Sequence, residues 1–401
     1  MGRFDGRHPA ETVSYEPASV KDLLVEMKDT AELLIDLSYS AVLHASPSVA
    51  HEVVALEHRM DVLQMRARMS LMLAARSPNE AETLAPVLGV VAAADKVSDA
   101  AGDIAKIIAD EIGLPDAMRG ALTDGVETLV RGTVAAESPY DGRTLNDIDL
   151  ESVTGVRVIA IRRDDDWILN PGPTTRLHSG DVTLLRGPEN GVVEAYPKLT
   201  GEPFEPADPV EPAIDDLERA VDSIVLMKNL SELAVDLAYG SVLFDNEELA
   251  EEVSNLEIEV DALQSRFEAW TLRAAAEAAD PVALRGLIHL GVATEEISDA
   301  AVEITEGVLR DIGVHPVVEM AVKESDEIIT RTRVGTASEL AGTRVSAGVP
   351  ATEIATSVLA IRRPDEGWLV GPDLDTTIRA GDVIISKGTR TSAAEFEALA
   401  A

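Results

Sequence analysis

The chain has 401 residues, with 72 Asp and Glu against 34 Lys and Arg, a net charge of −38 and no cysteine. The absence of thiols excludes a disulfide framework, a thiolate zinc site, an iron–sulfur cluster and a cysteine nucleophile. The acidic balance argues against an electrostatic binder of DNA, RNA or anionic lipid, which needs clustered Lys and Arg.

Two to four domains fit this length. The apolar share of 46 % excludes wholesale disorder, and an aromatic share of 3 % assigns the cores to Ala, Val, Leu and Ile. Cations are 8 Lys against 26 Arg. Many carboxylates with few lysines and few large aromatics suit a salt-loaded, halophilic cytoplasm, where acid keeps the surface hydrated and salt screens its self-repulsion. A carboxylate is therefore not functional merely because it is acidic.

In chain order, Met1 to Glu16 has no apolar run and does not read as a signal peptide. No stretch reaches the ~18 apolar residues of a membrane span. The expectation is a cytoplasmic protein, peripheral to the membrane only through a partner. Three helices are expected at 17–44, 48–76 and 80–111, punctuated by Pro47, Ser77-Pro78 and Gly113-Leu114-Pro115. Val53, Leu56, Met60, Leu63, Ala67, Ser70 and Ala74 keep the alternating 3-4 spacing of a heptad seam, so the helices form an antiparallel bundle. Pro86 predicts a later start, or a kink, for the third helix. A further helix near 115–130 leads to a change of period. Arg157 to Ile161 reads as a strand, followed by Arg162-Arg163, a polar turn, Trp167-Ile168-Leu169, Pro171, and a Gly180-Asp181 turn into the strand Val182 to Leu185. Pro203, Pro206, Pro209 and Pro212 then recur at every third residue in an acidic segment, a stiff extended linker.

After the linker the chain repeats itself. Met27 to Leu43 (MKDTAELLIDLSYSAVL) returns 200 residues later as Met227 to Leu243 (MKNLSELAVDLAYGSVL), with nine of 17 positions identical. Ser98 to Ala101 returns as Ser298 to Ala301, and Ala160 to Arg163 as Ala360 to Arg363. Thereafter the offset is 201, bringing Trp368, Pro372 and Gly381-Asp382 into the places of Trp167, Pro171 and Gly180-Asp181. The chain is a tandem duplication of a ~200-residue unit.

The pattern V-x-A-I-R-R, then W-x-x-x-P, then G-D-V, at 158–182 and 358–383, resembles the TrkA C-terminal (RCK C-terminal) domain family. The resemblance implies small cytoplasmic modules that regulate potassium and other ion transporters as dimers, with ligands in the dimer cleft. The helical parts resemble the PhoU family, whose E(D)-x-x-x-D motifs hold metal ions in some members. Glu57 to Asp61 and Asp95 to Asp99 match that motif in the first unit, Glu257 to Asp261 and Glu295 to Asp299 in the second. An archaeal group with a similar arrangement is associated with potassium or divalent-cation transport. The expected class is mixed α and α+β: two PhoU-like three-helix bundles (17–115 and 217–316) alternating with two small TrkA-C-like α/β modules (116–200 and 317–401), joined by the linker at 201–216. No G-x-G-x-x-G follows a strand, so no NAD-binding Rossmann half is expected.

Candidate site residues follow. Carboxylates at i and i+4 share a helix face one turn apart, so two such pairs can ligate one hard cation. Glu57, Asp61, Asp95 and Asp99, and likewise Glu257, Asp261, Glu295 and Asp299, fall beside the heptad seam on one flank. All-oxygen ligands favour Mg²⁺, Ca²⁺, Mn²⁺ or iron over zinc, and in molar salt could hold K⁺ or Na⁺. Against this stands the solvated acidic face of a halophile. A third pair, Glu32/Asp36 with Glu232/Asp236, falls on the outer face and reads as solvated. Arg162, Arg163, Arg362 and Arg363 suit an anionic ligand such as a nucleotide or cyclic dinucleotide, or else salt bridges to acidic neighbours. Trp167 and Trp368 read as strand-core residues. His44, His51 and His58 have no His counterparts in the second unit, and no catalytic constellation occurs in both units, so no enzyme is expected. The reading is a regulatory, ligand-sensing subunit of a cation transporter or channel, most simply for potassium, homodimeric, with a membrane transporter as partner and no nucleic acid. The alternatives are a PhoU-like regulator of phosphate uptake and a regulator of an MgtE-like divalent-cation transporter.

Overall fold

The computed structural model describes residues 19–115, 118, 128–164, 166–204, 214–310, 312, 315–325, 327–345, 356–363, 367–371, 376–388 and 390–401. The N-terminal segment, most of the linker prolines and most of the expected helix at 115–130 lie outside them, and residues 128–130 of that expected helix begin a strand instead.

The first unit opens with α1 (Val20–Leu43), α2 (Pro47–Ala74) and α3 (Pro78–Ala109). Ser46 and Ser77 cap α2 and α3, each hydroxyl accepting an amide from the first turn, and proline follows each cap where its missing N–H costs nothing. The heptad seam is the buried seam: Val53, Met60 and Ala67 are fully enclosed. Pro86 does not delay α3, which runs unbroken from Pro78. The carbonyl that Pro86 leaves without an intrahelical donor belongs to Glu82, an exposed residue, so water can serve it.

Then come β1 (Thr128–Thr133), two short helices α4 (Leu145–Ile148) and α5 (Leu150–Thr154), β2 (Arg157–Arg163), β3 (Asp166–Leu169), β4 (Val182–Gly187) and α6 (Glu189–Thr200). The strands form an antiparallel sheet of order β1-β4-β2-β3. The second unit repeats the plan with α7 (Asp215–Phe244), α8 (Glu247–Glu277), a 3-10 turn at Pro281–Leu284, α9 (Arg285–Leu309), α10 (Pro316–Glu324), β5 (Ile328–Arg333), β6 (Thr356–Arg363), β7 (Gly367–Val370), β8 (Val383–Gly388) and α11 (Arg390–Ala400). Its sheet has the equivalent order β5-β8-β6-β7.

Each sheet is sandwiched. One face packs on the helical body and the other on the module's own closing helix. A bulge at matching places decides which residues go where: the register shifts between Val158 and Ala160, and between Val358 and Ala360. Ile159 and Ala160 therefore both face the bundles, as do Leu359 and Ala360. Val158 and Ile161 turn to Val192, Ala195 and Leu199 of α6, while Ile361 and Ile384 turn to Phe396 of α11. The Gly-Asp motif has a backbone reason. Gly180 (φ 92°) and Gly381 (φ 90°) occupy the left-handed region, and Asp181 and Asp382 behind them are 2 % exposed.

The two bundles are one body. α3 packs along α9, with the Gly286 amide donating to the Gly113 carbonyl at 2.8 Å, and the buried residues of both bundles form one continuous core. The first helices of the two units, α1 and α7, also reach across to each other. Lys28 stacks over the Tyr239 ring at 5.2 Å, and Lys228 over the Tyr39 ring at 5.1 Å. The Tyr39 hydroxyl meets Thr294 Oγ1 at 2.9 Å, both residues buried.

One expectation is overturned here. The pair Glu32/Asp36 and its counterpart Glu232/Asp236 do not lie on a solvated outer face. Asp36 is 7 % and Asp236 9 % exposed, because that face of α1 and α7 is where the two sheets dock. The heptad frame describes helix–helix burial only, and a sheet covers a face that the frame leaves outside.

Candidate functional site

The sheet–bundle junction is built from charge. Asp36 of α1 accepts from Arg186 of β4 at 2.8 Å. At the equivalent place in the second unit, Asp236 of α7 accepts from Lys387 of β8 at 2.7 Å. Lys387 also reaches Glu32 of the first unit at 3.3 Å and Glu327 at 3.1 Å, so the second module is tied to both bundles. Lys28 holds Glu32 from the other side at 2.8 Å and donates to Ser325 at 2.8 Å, while Lys228 holds Glu232 at 2.8 Å. Arg157 bonds Asn170 at 2.7 Å and lies 3.8 Å from Glu327. A small polar cavity opens among Asp29, Glu32, Asp36, Arg157, Arg186 and Glu327.

These groups set one another's ionisation. Burial alone would raise Glu327, but Lys387, Arg186 and Arg157 outweigh it and hold the carboxyl well below the usual range. Burial likewise works to raise Glu32, and Lys28 with Lys387 overcomes it. Asp236 goes the other way. Burial, reinforced by the charges of Glu32 and Glu327, lifts it to about 6 despite Lys387. Lys387 is raised well above its ordinary value: burial would lower it, but Asp236, Glu32 and Glu327 more than compensate.

The metal-motif carboxylates lie on α2 and α3, and on α8 and α9. In the first unit Asp95 is pushed up to about 6, by burial and then by the charges of Asp99 and Asp61. Asp99 is raised by burial and by Asp61. In the second unit Glu295 is pushed up to about 7 by burial, Asp299 and Asp261, and Glu257 is raised by burial, Asp261 and Asp299. Each set therefore shares one field across two helices. The sets differ in their cations. Lys106 bonds Glu57 at 3.2 Å, and Glu57 lies where a Cβ on Gly102 would overlap its carboxylate. Lys96 crosses from α3 to Asp299 at 2.9 Å and Glu303 at 3.3 Å. Among the described residues no three or more His, Asp or Glu side chains gather as a metal ion would need. The pairs share a surface without closing a coordination shell.

The four candidate arginines have partners within the chain. Arg163 forms a two-pronged pair with buried Asp181, at 2.9 and 2.7 Å, which joins the Arg-Arg motif to the Gly-Asp motif. Arg363 lies 3.5 Å from Asp382 and donates to the Thr377 carbonyl at 2.7 Å. Arg162 stacks on Trp167 at 6.0 Å, and Arg362 bonds Glu248 of α8 at 2.7 Å. Trp167 and Trp368 are partly buried against the bundles, and Trp368 also donates to Glu248.

Sequence reasoning missed Lys28, Lys228, Arg186, Lys387 and Glu327. One signal for the lysines was available. Of 8 lysines, only Lys28 and Lys228 stand at equivalent places as lysine in both units.

The TrkA-C domain model matches residues 129–200 and 329–401, and the PhoU domain model matches 24–108 and 224–308. No curated protein matches. Solved structures with likeness to the chain include the RCK domain of GsuK (16% identity, TM-score 0.18, covering 69% of this chain and 63% of that one). The GsuK channel itself gives 15% identity and a TM-score of 0.18, over 69% of this chain and 53% of that one. The same channel bound to NAD gives 12% identity and a TM-score of 0.18, over 78% and 65%. The chain thus spans under two thirds of the length of these channel structures.

Proposed function

Because the chain is a member of both the PhoU and the TrkA-C families, carrying one domain of each twice in tandem, we propose that it is a regulatory subunit of a membrane cation transporter or channel, most simply one for potassium. The TrkA-C modules receive a small ligand, a nucleotide, cyclic dinucleotide or cation, and the PhoU body relays its binding to the transporter. The observation that carries this reading is the buried ionic junction. A basic side chain on β4 or β8 of each module grips a carboxylate on the first helix of its bundle. A ligand that binds one module position better than another therefore biases both halves of the body, and only such differential affinity can move it.

No described helix is long and apolar enough to cross a membrane, so the membrane-spanning part belongs to the partner in this reading. The PhoU domains alone would equally suit control of phosphate uptake; the paired TrkA-C modules favour cation transport. The metal-motif pairs remain a proposed site for a divalent cation.

Calorimetry in high salt tests the sensor role. At least one of K⁺, Mg²⁺, Mn²⁺, ATP or cyclic di-AMP should bind and raise the melting temperature. No heat and no shift with any of them would remove the sensing function. Affinity capture from native membranes should co-purify a cation transporter; a phosphate ABC transporter instead would favour the second reading.

A further inference from the structure

Helix α2 carries two apolar stripes. The inner one, with Met60, Leu63, Ala67 and Leu71, is buried in the bundle. The outer one consists of Met65, Met69, Met72 and Leu73, at i, i+4, i+7 and i+8, which is one face of a helix. Met65 is 49%, Met72 68% and Leu73 62% exposed, and Met69 is half-buried. Arg68, exposed, falls at i+3 beside that face, and exposed Arg76 lies two residues beyond the end of the helix at Ala74. From Met65 to Leu73 the stripe is about 12 Å long at 1.5 Å per residue.

The charge around it is as unusual as its exposure. Residues 62–79 contain no Asp or Glu, the longest such run in a chain with 72 acids. The second unit, built on the same helix plan, does without the stripe. Ser265, Glu268, Ala269 and Arg273 stand where the first has Met65, Arg68, Met69 and Leu73, and only Leu272 retains an apolar side chain. The fold therefore does not require these residues. They follow from something that only the first unit meets.

Against the expectation drawn from the net charge of the whole chain, we propose that the outer stripe of α2, in its acid-free segment, docks the protein on an anionic lipid surface. An exposed helix face presents the methionines, and flexible thioethers adapt to an uneven apolar boundary. Arg68 and Arg76 can lay their stems along that boundary and keep their guanidinium groups among headgroup phosphates. The remaining surface, at a net charge of −38 for the chain, is repelled by an anionic leaflet. The docking therefore has one orientation, with the far end of α2 toward the lipid. Glu80 and Glu82 begin α3 just beyond the run; the Glu80 carboxylate accepts the Arg76 backbone amide at 2.7 Å. This contact is independent of any ligand that the modules sense.

Co-sedimentation with protein-free vesicles tests it, at the lowest salt at which the chain stays folded. The wild type should pellet with phosphatidylglycerol vesicles and about tenfold less with phosphatidylcholine. Combined Met65→Ser, Met69→Ser and Met72→Ser should abolish pelleting, as should Arg68→Glu with Arg76→Glu. All five sites are at the surface or half-buried, so an unchanged melting temperature is expected alongside. Leu272→Ser, the equivalent site in the second unit, should pellet like the wild type. Wild type left in the supernatant with phosphatidylglycerol vesicles overturns the proposal; it is also the result expected if an acidic helix of a partner protein covers the stripe. Undiminished pelleting of the triple serine variant overturns it too.

Discussion

Lys387 meets three carboxylates at the junction of the second sheet. Its ammonium group neutralises Asp236, Glu32 and Glu327, all largely buried. Lys387→Met would leave three enclosed carboxylates short of a cation, a change that costs about 3–5 kcal/mol. A fall in melting temperature seen by calorimetry, larger than that of any exposed lysine variant, is the expected outcome. Asp236→Asn should be far milder, because Lys387 keeps two other partners. The carboxyls lifted by burial and by one another set a pH dependence of definite sign. Asp236 and Asp95 titrate near 6, and Glu295 near 7. Each binds its proton more tightly in the folded than in the unfolded chain. The stability they contribute is complete below the unfolded carboxyl range and is lost as pH rises through 6 to 7. Asp95→Asn and Glu295→Gln should therefore raise the melting temperature at pH 8 and change it little at pH 4. If the paired carboxylates hold a divalent cation, Mg²⁺ should raise the wild-type melting temperature at pH 8 and leave the double variant unmoved. Equal responses in the two proteins would reduce these residues to a solvated acidic face.

At the scale of elements, the sheets sit on the bundles by a mixed contact, with Ile159, Ala160 and Leu184 for area and Asp36–Arg186 for register. Arg186→Met should loosen the first module while sparing the helices. Hydrogen exchange should quicken in β1 and β4, with α2 and α3 unchanged. A uniform change along the chain would mean that the pair stabilises the whole fold and does not position one module. These elements also mark how far the sequence could be read. Helices α1 to α3 were legible because their interior repeats at 3-4 spacing, and β2, β4, β6 and β8 because an apolar run ends at Arg-Arg or begins at Gly-Asp; β1 and β5, which carry neither mark, were not read. The docking of the sheets was not. Helical periodicity describes one buried stripe, and α1 buries two: one against helices and one, bearing Glu32 and Asp36, against strands. Acidic residues in a second buried stripe look like solvent-facing ones until their cations are found, and Arg186 and Lys387 lie about 150 residues further along the chain. Lys96 and Lys106, which enter the metal-motif pairs, have Glu296 and Glu306 as counterparts. A comparison of the halves residue by residue therefore gave no hint of the cations there.

At the scale of the molecule, the two bundles share one core across α3 and α9. Expressed together as separate chains, residues 1–208 and 209–401 should assemble one to one, as native mass spectrometry can record. Independent monomers would mean that the linker, not the seam, keeps the units together. The crossed pairs Lys28–Tyr239 and Lys228–Tyr39 describe what such a seam is. Each unit supplies the cation for the other's ring, as two identical subunits would do about a two-fold axis.

Tethering changes what that exchange allows. Two free subunits find each other by diffusion and part on dilution, whereas a covalent link holds the partner at a local concentration on the order of millimolar. Identical subunits must also mutate in step, since every substitution appears twice. Joined in one chain, the halves are released from that symmetry. One bears a methionine stripe and the other serine and alanine, one sheet is held by arginine and the other by a lysine that reaches both bundles. The crossed lysines preserve the geometry of a pair, within which each half is free to acquire a task of its own.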